Sequence, residues 1–267
     1  MLIFGASVCL CCYGRIHQPS SYIEVNLKGR LLALLHVYSG TSGRLRQSKI
    51  SVNFNSYLYL ILLYSMTKTI IFDLGAVLID WNPHYLYRTI FDKESEMLHF
   101  LEHICTPEWN EEQDGGRSLQ EATELLIAKH PEQEDKIRAF YDRWHEMLGG
   151  AIAGSVEILK EIKESGKYKL LALTNWSAET FPVALERYDF LNWFDGIVVS
   201  GTEKDRKPFA SFYQLLLDRH AVKPEEALFI DDNLRNIKAA EQLGIPSIHF
   251  TSPEQLRARL KENGILN

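Results

Sequence analysis

The chain has 267 residues, 46% of them apolar, so it can bury a full core and by length makes one large domain or two small ones. Its net charge of -6 gives no reason to expect a nucleic-acid partner. Charge is spread unevenly: residues 1–65 hold six of the 29 Lys and Arg but only one of the 35 acids, Glu24, so two compositions meet near Met66.

Residues 1–65 lack periodicity, helix caps and strand-helix alternation, and are expected to form an N-terminal extension, either disordered or a mis-assigned start with translation naturally beginning at Met66. A signal peptide is not expected, because Met1-Leu-Ile-Phe has no basic stretch and Ser7-Val8-Cys9 is a poor cleavage site. The apolar run Tyr57 to Tyr64 falls well short of the ~20 residues that cross a bilayer, so no membrane association is expected. Cys9, Cys11 and Cys12 form a Cys-x-Cys-Cys run without a second ligand cluster, which is weak evidence for a metal. Only Cys105 follows Met66, so that part cannot form an internal disulfide, which fits a cytoplasmic protein.

From Met66 onward the elements have start and stop signals. The run Thr69-Ile70-Ile71-Phe72 reads as a buried strand and leads into Asp73-Leu74-Gly75-Ala76-Val77. Between Asp80 and Gly149-Gly150 there is no strand candidate. Asn82-Pro83 and Thr106-Pro107 each supply a cap and a first-turn proline, and Ser118-Leu-Gln-Glu121 is a capping box. An all-helical insert, 81–150, is expected, its last helix running from about Pro131 to Leu148 and ending where Gly150 can take a left-handed conformation. The remaining segments, 66–80 and 151–267, would form one core. In the second of them Ser155 is expected to cap a helix ending at Gly166, and the strand Leu170-Leu171-Ala172-Leu173 follows. A helix from near Ser177 to Tyr188 comes next, and then the strand Gly196 to Ser200. Last come the strand Ala227-Leu228-Phe229-Ile230, a helix from Asn233 to Gly244, a strand from Ile245 to Phe250 and a terminal helix opened by Ser252-Pro-Glu-Gln255. Parallel strands joined by right-handed helical crossovers give an α/β fold with a doubly wound sheet.

Polar residues stand where these strands stop: Asp73, then Thr174-Asn175, then Lys207-Pro208, then Asp231-Asp232. Ligands of open α/β sheets collect at the carboxyl ends of the strands, where carboxylates are rarely structural. Any one of these stops is weak evidence, and Thr174-Asn175 alone would read as an ordinary strand-end turn. The four in order, with helices between them, resemble the haloacid dehalogenase-like hydrolase superfamily, whose motifs are a nucleophilic Asp, a Ser or Thr, a Lys and an acidic pair.

The resemblance implies a Rossmann-like core with a helical cap inserted after the first strand, closing over the site and choosing the substrate. It implies an aspartyl-phosphate intermediate on Asp73. Mg²⁺ would be held by Asp73, the backbone carbonyl of Gly75 and Asp232, with Asp231 beside the ion or ligating it as well. Lys207 would contact both Asp73 and the phosphate, Thr174 would donate to a phosphate oxygen, and Asn175 would orient substrate or loop. The expected function is Mg²⁺-dependent hydrolysis of a small phosphomonoester by a monomer or homodimer. One position departs from the pattern: most such phosphatases carry a second Asp two residues after the nucleophile, where this chain has Gly75. The Asp73-Leu-Gly-x-Val form, with Asp80 seven residues on, resembles the branch acting on sugar phosphates such as glucose 1-phosphate, and Asp80 is either a substitute proton shuttle or a plain helix-entry carboxylate.

A 2-haloacid dehalogenase is the alternative within the superfamily, but it has no use for an acidic pair. A non-catalytic binding protein of the same fold is the alternative outside catalysis, and leaves the joint presence of Asp73, Lys207 and Asp232 without reason. His99-Phe-Leu-Glu102-His103 has the spacing of an inverted zinc-protease helix, yet no third-ligand helix follows it, so an ordinary exposed His pair is expected. Trp81, Trp109, Trp144, Tyr85 and Tyr87 are expected mostly in the core of the insert. Trp81 and Trp109 are expected to face the substrate beside Asn110, Gln113 and Arg117, suiting a sugar or another small organic phosphate.

Overall fold

The computed structural model describes residues 67–267, together with a two-residue antiparallel pairing of β1 (Ile23–Glu24) and β2 (Leu34–Leu35) in a separate unit. The expectations about the start at Met66, the Cys-x-Cys-Cys run and the Tyr57 to Tyr64 run lie outside the described residues. Within them, no helix is long and apolar enough to cross a membrane.

Five parallel strands form the central sheet: β3 (Thr69–Phe72), β6 (Lys169–Thr174), β7 (Gly196–Val199), β8 (Ala227–Asp231) and β9 (Ser247–His249), in the order β7-β6-β3-β8-β9. Strand alternation sends Ile70, Phe72, Leu170, Ala172, Leu228 and Ile230 to one face, and Ile71, Leu171, Leu173, Val198 and Phe229 to the other. The first face packs on α6 (Ala153–Ser165) through Ile158, Leu159 and Ile162, and on α11 (Pro253–Glu262) through Leu256 and Leu260. The second packs on α9 (Ala210–His220) through Phe212, Tyr213 and Leu216, and on α10 (Leu234–Gln242) through Ile237 and Ala240, while the short helices α7 (Phe181–Arg187) and α8 (Ser200–Glu203) follow β6 and β7 in the chain. With both faces covered, the strands need continuous apolar runs, which is why they are legible in the sequence. The chain moves outward from β3 through β6 to β7 and then crosses to β8 on the opposite side of β3, so the sheet is doubly wound and its switch point lies between β3 and β8.

The segment between β3 and β6 holds α1 (His84–Tyr87), α2 (Glu94–His103), α3 (Pro107–Asp114), α4 (Leu119–Lys129) and α5 (Glu134–Asp142). Capping follows the sequence signals: the Asn82 carboxamide accepts from the His84 N–H at 2.9 Å, Thr106 Oγ1 from Trp109 N–H at 3.2 Å and Ser118 Oγ from Glu121 N–H at 3.2 Å. Tyr87 anchors the packing of these helices, its ring 5.1 Å from Phe100 and 6.2 Å from Phe140.

Two expectations need correction. The last helix of the insert stops at Asp142, a 3₁₀ turn spans Trp144–Met147, and Leu148–Ala151 is then a strand, β5, paired antiparallel with β4 (Ile79–Trp81). This ribbon carries the chain into and out of the insert. A side chain at Gly149 would have to displace Asp80 and Tyr85, since a Cβ would lie 2.3 Å from the Asp80 carboxylate, and Gly150 adopts a φ of +120°. The second correction concerns Ser155, which lies inside α6 with its hydroxyl buried, while Ile152 occupies the cap position. Gly166 does end that helix, in the left-handed conformation at φ 63°.

Candidate active site

Continuing the register of β3 and β8 beyond Phe72 and Ile230 sets Asp73 beside Asp231 at the switch point. The Asp73 N–H donates to Ile230 O at 2.8 Å, which fixes the backbone, and the Leu74 N–H donates to Asp73 Oδ1 at 2.7 Å, which orients the carboxylate. The other oxygen, Oδ2, faces Lys207 Nζ at 2.9 Å, and the same ammonium donates to Asp231 Oδ2 at 2.7 Å. Lys207 and Asp231 are fully buried and Asp73 is 8% exposed. Asp231 is saturated as an acceptor: the Asn236 side-chain amide reaches both its oxygens at 3.1 Å, and the Asn233 N–H donates to Oδ1 at 2.7 Å.

Burial pushes the Asp73 carboxyl up to about 8, against the pull of Lys207 and with the help of the negative charges of Asp231 and Asp232. Burial pulls Lys207 down, but Asp231 and Asp73 together hold it above the ordinary lysine value. The ammonium therefore stays charged, and the carboxylate it shares with Asp231 resists ionising until further positive charge arrives.

Asn175 contributes through the loop that carries Lys207. Its carboxamide accepts from the Lys207 N–H at 2.9 Å and donates to the Lys207 carbonyl at 3.0 Å, so the end of β6 clamps the backbone that presents the ammonium. The loop after Asn175 is itself pinned: Trp176 N–H donates to Ser200 Oγ at 2.8 Å, and Gly201 approaches so closely that a Cβ would lie 2.3 Å from Ala178 N. Thr174 is completely buried at the end of β6, and its hydroxyl has no hydrogen-bond partner among the described residues. Gly75 is half-buried in the turn after Asp73, where Ala76 takes a φ of 56° and donates to Ile79 O at 2.8 Å.

Carboxylate oxygens of Asp73, Asp231 and Asp232 lie within 4.8 Å of one another, with Asp232 exposed. Asp73 and Asp232 offer hard oxygen donors that suit a divalent cation, while both oxygens of Asp231 are already occupied by Lys207, Asn233 and Asn236. Although the Asp232 side chain reaches solvent, partial desolvation by its surroundings and the neighbouring charge of Asp231 raise its carboxyl.

A cavity of about 560 Å³ adjoins these residues, lined by Asp73, Gly75, Asn175 and Asp232 together with residues of the insert and of the loop after β6. Its wall is largely aromatic and aliphatic: Trp81, Leu98, Leu101, Phe140, Trp144 and Trp176. From α3 the cavity receives Asn110, Glu111 and Asp114. Gln113 and Arg117, expected beside the substrate, turn the other way: Gln113 Nε2 donates to Tyr141 Oη at 2.7 Å, and Arg117 donates to Gln113 Oε1 at 2.6 Å and to Trp109 O at 3.2 Å. On a helix positions 110, 111 and 114 share one side while 109, 113 and 117 share another, so Trp109 goes with Gln113 into the insert's own packing. Asp80 also lies away from the cavity lining, its carboxylate accepting from Tyr85 Oη at 2.6 Å. His99 and His103 are an exposed stacked pair, ring centroids 4.3 Å apart, with His103 Nδ1 3.0 Å from His99 O.

Sequence reasoning left three features unfound. Asn236, five residues past Asp231 in the first turn of α10, is the support of Asp231, and only its helical offset could have pointed to it. The ion pairs of Glu111 with Arg235 at 2.6 Å and Glu112 with Arg206 at 2.9 Å tie α3 to the core across long sequence separations, which no local pattern reveals. Asp114 looked like one acid among several, yet burial pushes its carboxyl up to about 7, with Glu111 adding to the rise.

A family model described as haloacid dehalogenase-like hydrolase matches residues 70–250. A sesquiterpene phosphatase of Aspergillus oryzae is 28% identical over 184 residues, 69% of this chain and 90% of that one. A phosphorylated carbohydrates phosphatase of Thermotoga maritima is 29% identical over 192 residues, 68% of this chain and 84% of that one. A drimenol cyclase of Aspergillus calidoustus is 27% identical over 73% of this chain, which spans only 36% of the cyclase. Among solved structures, a Bacteroides thetaiotaomicron HAD family enzyme in complex with magnesium and inorganic phosphate superposes with a TM-score of 0.52 at 20% identity, covering 70% of this chain and 95% of its own. With the motif residues gathered at one sheet end and a family match that runs from the first core strand to the last, the chain belongs to the haloacid dehalogenase-like hydrolases.

Proposed function

We propose that this hydrolase is a Mg²⁺-dependent phosphatase that cleaves small phosphomonoesters through an aspartyl-phosphate on Asp73, and that the organic group it accepts is mainly apolar. The observation that carries the reading is the buried ammonium of Lys207 held between Asp73 Oδ2 and Asp231 Oδ2 beside an aromatic-walled cavity. A carboxylate fixed by one backbone N–H and one ammonium is oriented for in-line attack, and a dianionic phosphate needs the positive charge that Lys207 carries. Asp73, Asp232 and the carbonyl of Gly75 would hold the Mg²⁺, which when bound supplies further positive charge to the phosphate oxygens. The Thr174 hydroxyl, fully buried and without a partner among the described residues, would donate to a phosphate oxygen that reaches the end of β6, and the double hydrogen bond of Asn175 supports a role in positioning Lys207. The helical insert acts as the cap that selects the organic group.

The related phosphatases differ in what they are named for, one a sesquiterpene and the other phosphorylated carbohydrates, so the choice falls to the cavity. Its volume lies in the range of small-molecule sites, and its six large apolar side chains form a continuous surface for an apolar group, with polar side chains such as Asn110, Glu111, Ser177 and Thr180 set among them. The test is phosphate release from a prenyl-chain monophosphate and from a hexose phosphate, each with Mg²⁺ and with chelator. Faster turnover of the prenyl compound, by about tenfold or more in kcat/KM and only with Mg²⁺, is expected. Preference for the hexose phosphate would remove the apolar part of the proposal. Chloride release from 2-chloropropionate without metal would replace the phosphatase by a dehalogenase.

A further inference from the structure

We infer that Asp114, delivered by the helical insert, is the general acid and base of this site, protonating the departing alcohol oxygen and later activating the water. The inference rests on the phosphatase reading above and adds to it the source of the proton.

The residues at the sheet end cannot supply that proton. Asp73 is the attacking group, Asp231 is saturated by Lys207, Asn233 and Asn236, and Asp232 belongs to the metal site. Two residues after Asp73 stands Gly75, which has nothing to titrate. Asp80 faces Tyr85 and lies off the cavity lining. Of the other ionisable groups that line the cavity, Glu111 is committed to Arg235 at 2.6 Å, Tyr141 is held by Gln113 and Asn110 and raised by burial, Glu102 is exposed on α2, His84 stands at the start of α1, and burial pushes the Cys105 thiol up to about 12, too high to cycle near neutrality.

Asp114 differs from all of these. It lines the cavity together with Asp73, and Asn110 Nδ2 donates to its Oδ2 over a long 3.3 Å. The groups that face it are Glu111 on its own helix, the Ser177 N–H from the loop after β6, and Arg206 and Lys207 from the loop before α9. Lys207 holds Asp73, and its positive charge also acts on Asp114. Asp114 also ends α3, where the carbonyl pole of the helix opposes a negative charge. Burial, with Glu111, raises its carboxyl to about 7, where a group gives and takes a proton with equal ease at neutral pH. The two ion pairs of α3 to the core, Glu111 to Arg235 and Glu112 to Arg206, hold the helix over the sheet end when the insert is closed.

The step balances as follows. As Asp73 Oδ forms its bond to phosphorus and the ester P–O bond breaks, the Asp114 proton passes to the ester oxygen, which leaves as the alcohol. Asp114, now a carboxylate, takes a proton from the water whose oxygen attacks the aspartyl-phosphate. The P–O bond to Asp73 breaks, inorganic phosphate leaves, and both carboxyl groups return to their starting states.

The test compares wild type, Asp114→Asn and Asp80→Asn, full-length and saturated with Mg²⁺, in single turnovers on n-hexyl phosphate and on p-nitrophenyl phosphate. Hexyl alkoxide needs the proton and p-nitrophenolate does not. In Asp114→Asn the hexyl rate should fall by about 10² to 10⁴, and p-nitrophenol release by less than about tenfold. The phosphorylated enzyme, detected by its added mass, should accumulate because its hydrolysis has lost the base. Asp80→Asn should match wild type on both substrates. An equal fall on both substrates in Asp114→Asn would make the residue structural, and no fall on hexyl phosphate would give the proton to another group; either result overturns the inference while leaving the phosphatase reading intact. A wild-type protein that releases no phosphate from either substrate would instead remove the phosphatase reading, and this inference with it.

Discussion

At the ends of β3 and β8, Asp73, Lys207 and Asp231 form a buried ionic group in which every partner is within 2.9 Å and backbone amides or Asn236 complete the set. On the opposite side of the cavity, α3 meets the core through Glu111 with Arg235 and Glu112 with Arg206, pairs whose side chains are between 20% and 51% exposed. Distances are similar in the two places, but energies are not. Removing one member of a buried pair strands the other and costs about 3–5 kcal/mol, while an exposed pair is worth about 0–1 kcal/mol. The ionic group is thus costly to break in the sheet, whereas the two ion pairs of α3 add little to the attachment of the insert beyond the apolar core it shares with the sheet.

The strongest way to break this comparison is to change the sheet end. Asp73→Asn should lower turnover by roughly 10³-fold or more, as expected for loss of a nucleophile. The same variant should be no less stable than wild type near pH 8, because it removes a carboxyl that burial makes costly to ionise. A thermal unfolding midpoint that fell together with activity would contradict the assignment of that cost to Asp73. Asp231→Asn is the converse case. It leaves Lys207 with one carboxylate and should destabilise the protein by about 3 kcal/mol in urea unfolding, with activity falling as well.

The two regions were also unequally legible in the sequence. Ile70, Leu171 and Phe229 lie in sheets buried on both faces, so their strands appear as apolar runs, and a polar residue at the end of each run marks where the sheet meets the cavity. The caps at Thr106, Ser118 and Ser252 were legible because each is a contact within four residues. The β4–β5 ribbon was not, because it pairs Ile79 with Ala151 across the whole insert and its second strand contains two glycines, which carry no strand signal. The direction of Gln113 and Arg117 was unavailable for a similar reason: the side of α3 that faces the cavity is set by Tyr141 and by Arg235, residues distant in sequence. The role of Asn175 falls between these cases. Its position at the end of β6 was plain, but its double hydrogen bond to Lys207 depends on the fold.

Metal binding should expose the state of Asp73 through pH. Its carboxyl in the folded protein sits at about 8, against an ordinary value of 3.8, so between these limits the metal-free folded protein holds a proton that the unfolded chain has lost. Metal-free stability therefore declines as pH rises through that window. Mg²⁺ ligation needs the carboxylate, so below pH 8 the ion must displace the proton, and apparent affinity should rise by up to about tenfold per pH unit toward pH 8. In thermal unfolding, the increase in midpoint on adding a fixed Mg²⁺ concentration should be larger at pH 8 than at pH 6. An increase equal at both values would mean that Asp73 is already ionised without the metal.

The smallest expected effect sharpens the other half of the comparison. Glu111→Gln removes one charge of the pair with Arg235, which at its exposure contributes under about 1 kcal/mol. Urea unfolding should therefore shift by less than about 1 kcal/mol. Because the pair acts only while α3 rests on the core, its loss should appear in kcat/KM, as a fall of about two- to fivefold, the rate equivalent of the same energy. Salt gives an independent check. An exposed pair is screened as the Debye length shortens, so wild-type kcat/KM should decline between low ionic strength and about 0.5 M, and the variant should decline less. A parallel salt response in the two proteins would show that this pair does not hold α3 to the core, and that the insert is kept in place by apolar packing such as that of Trp144 on Trp176 instead.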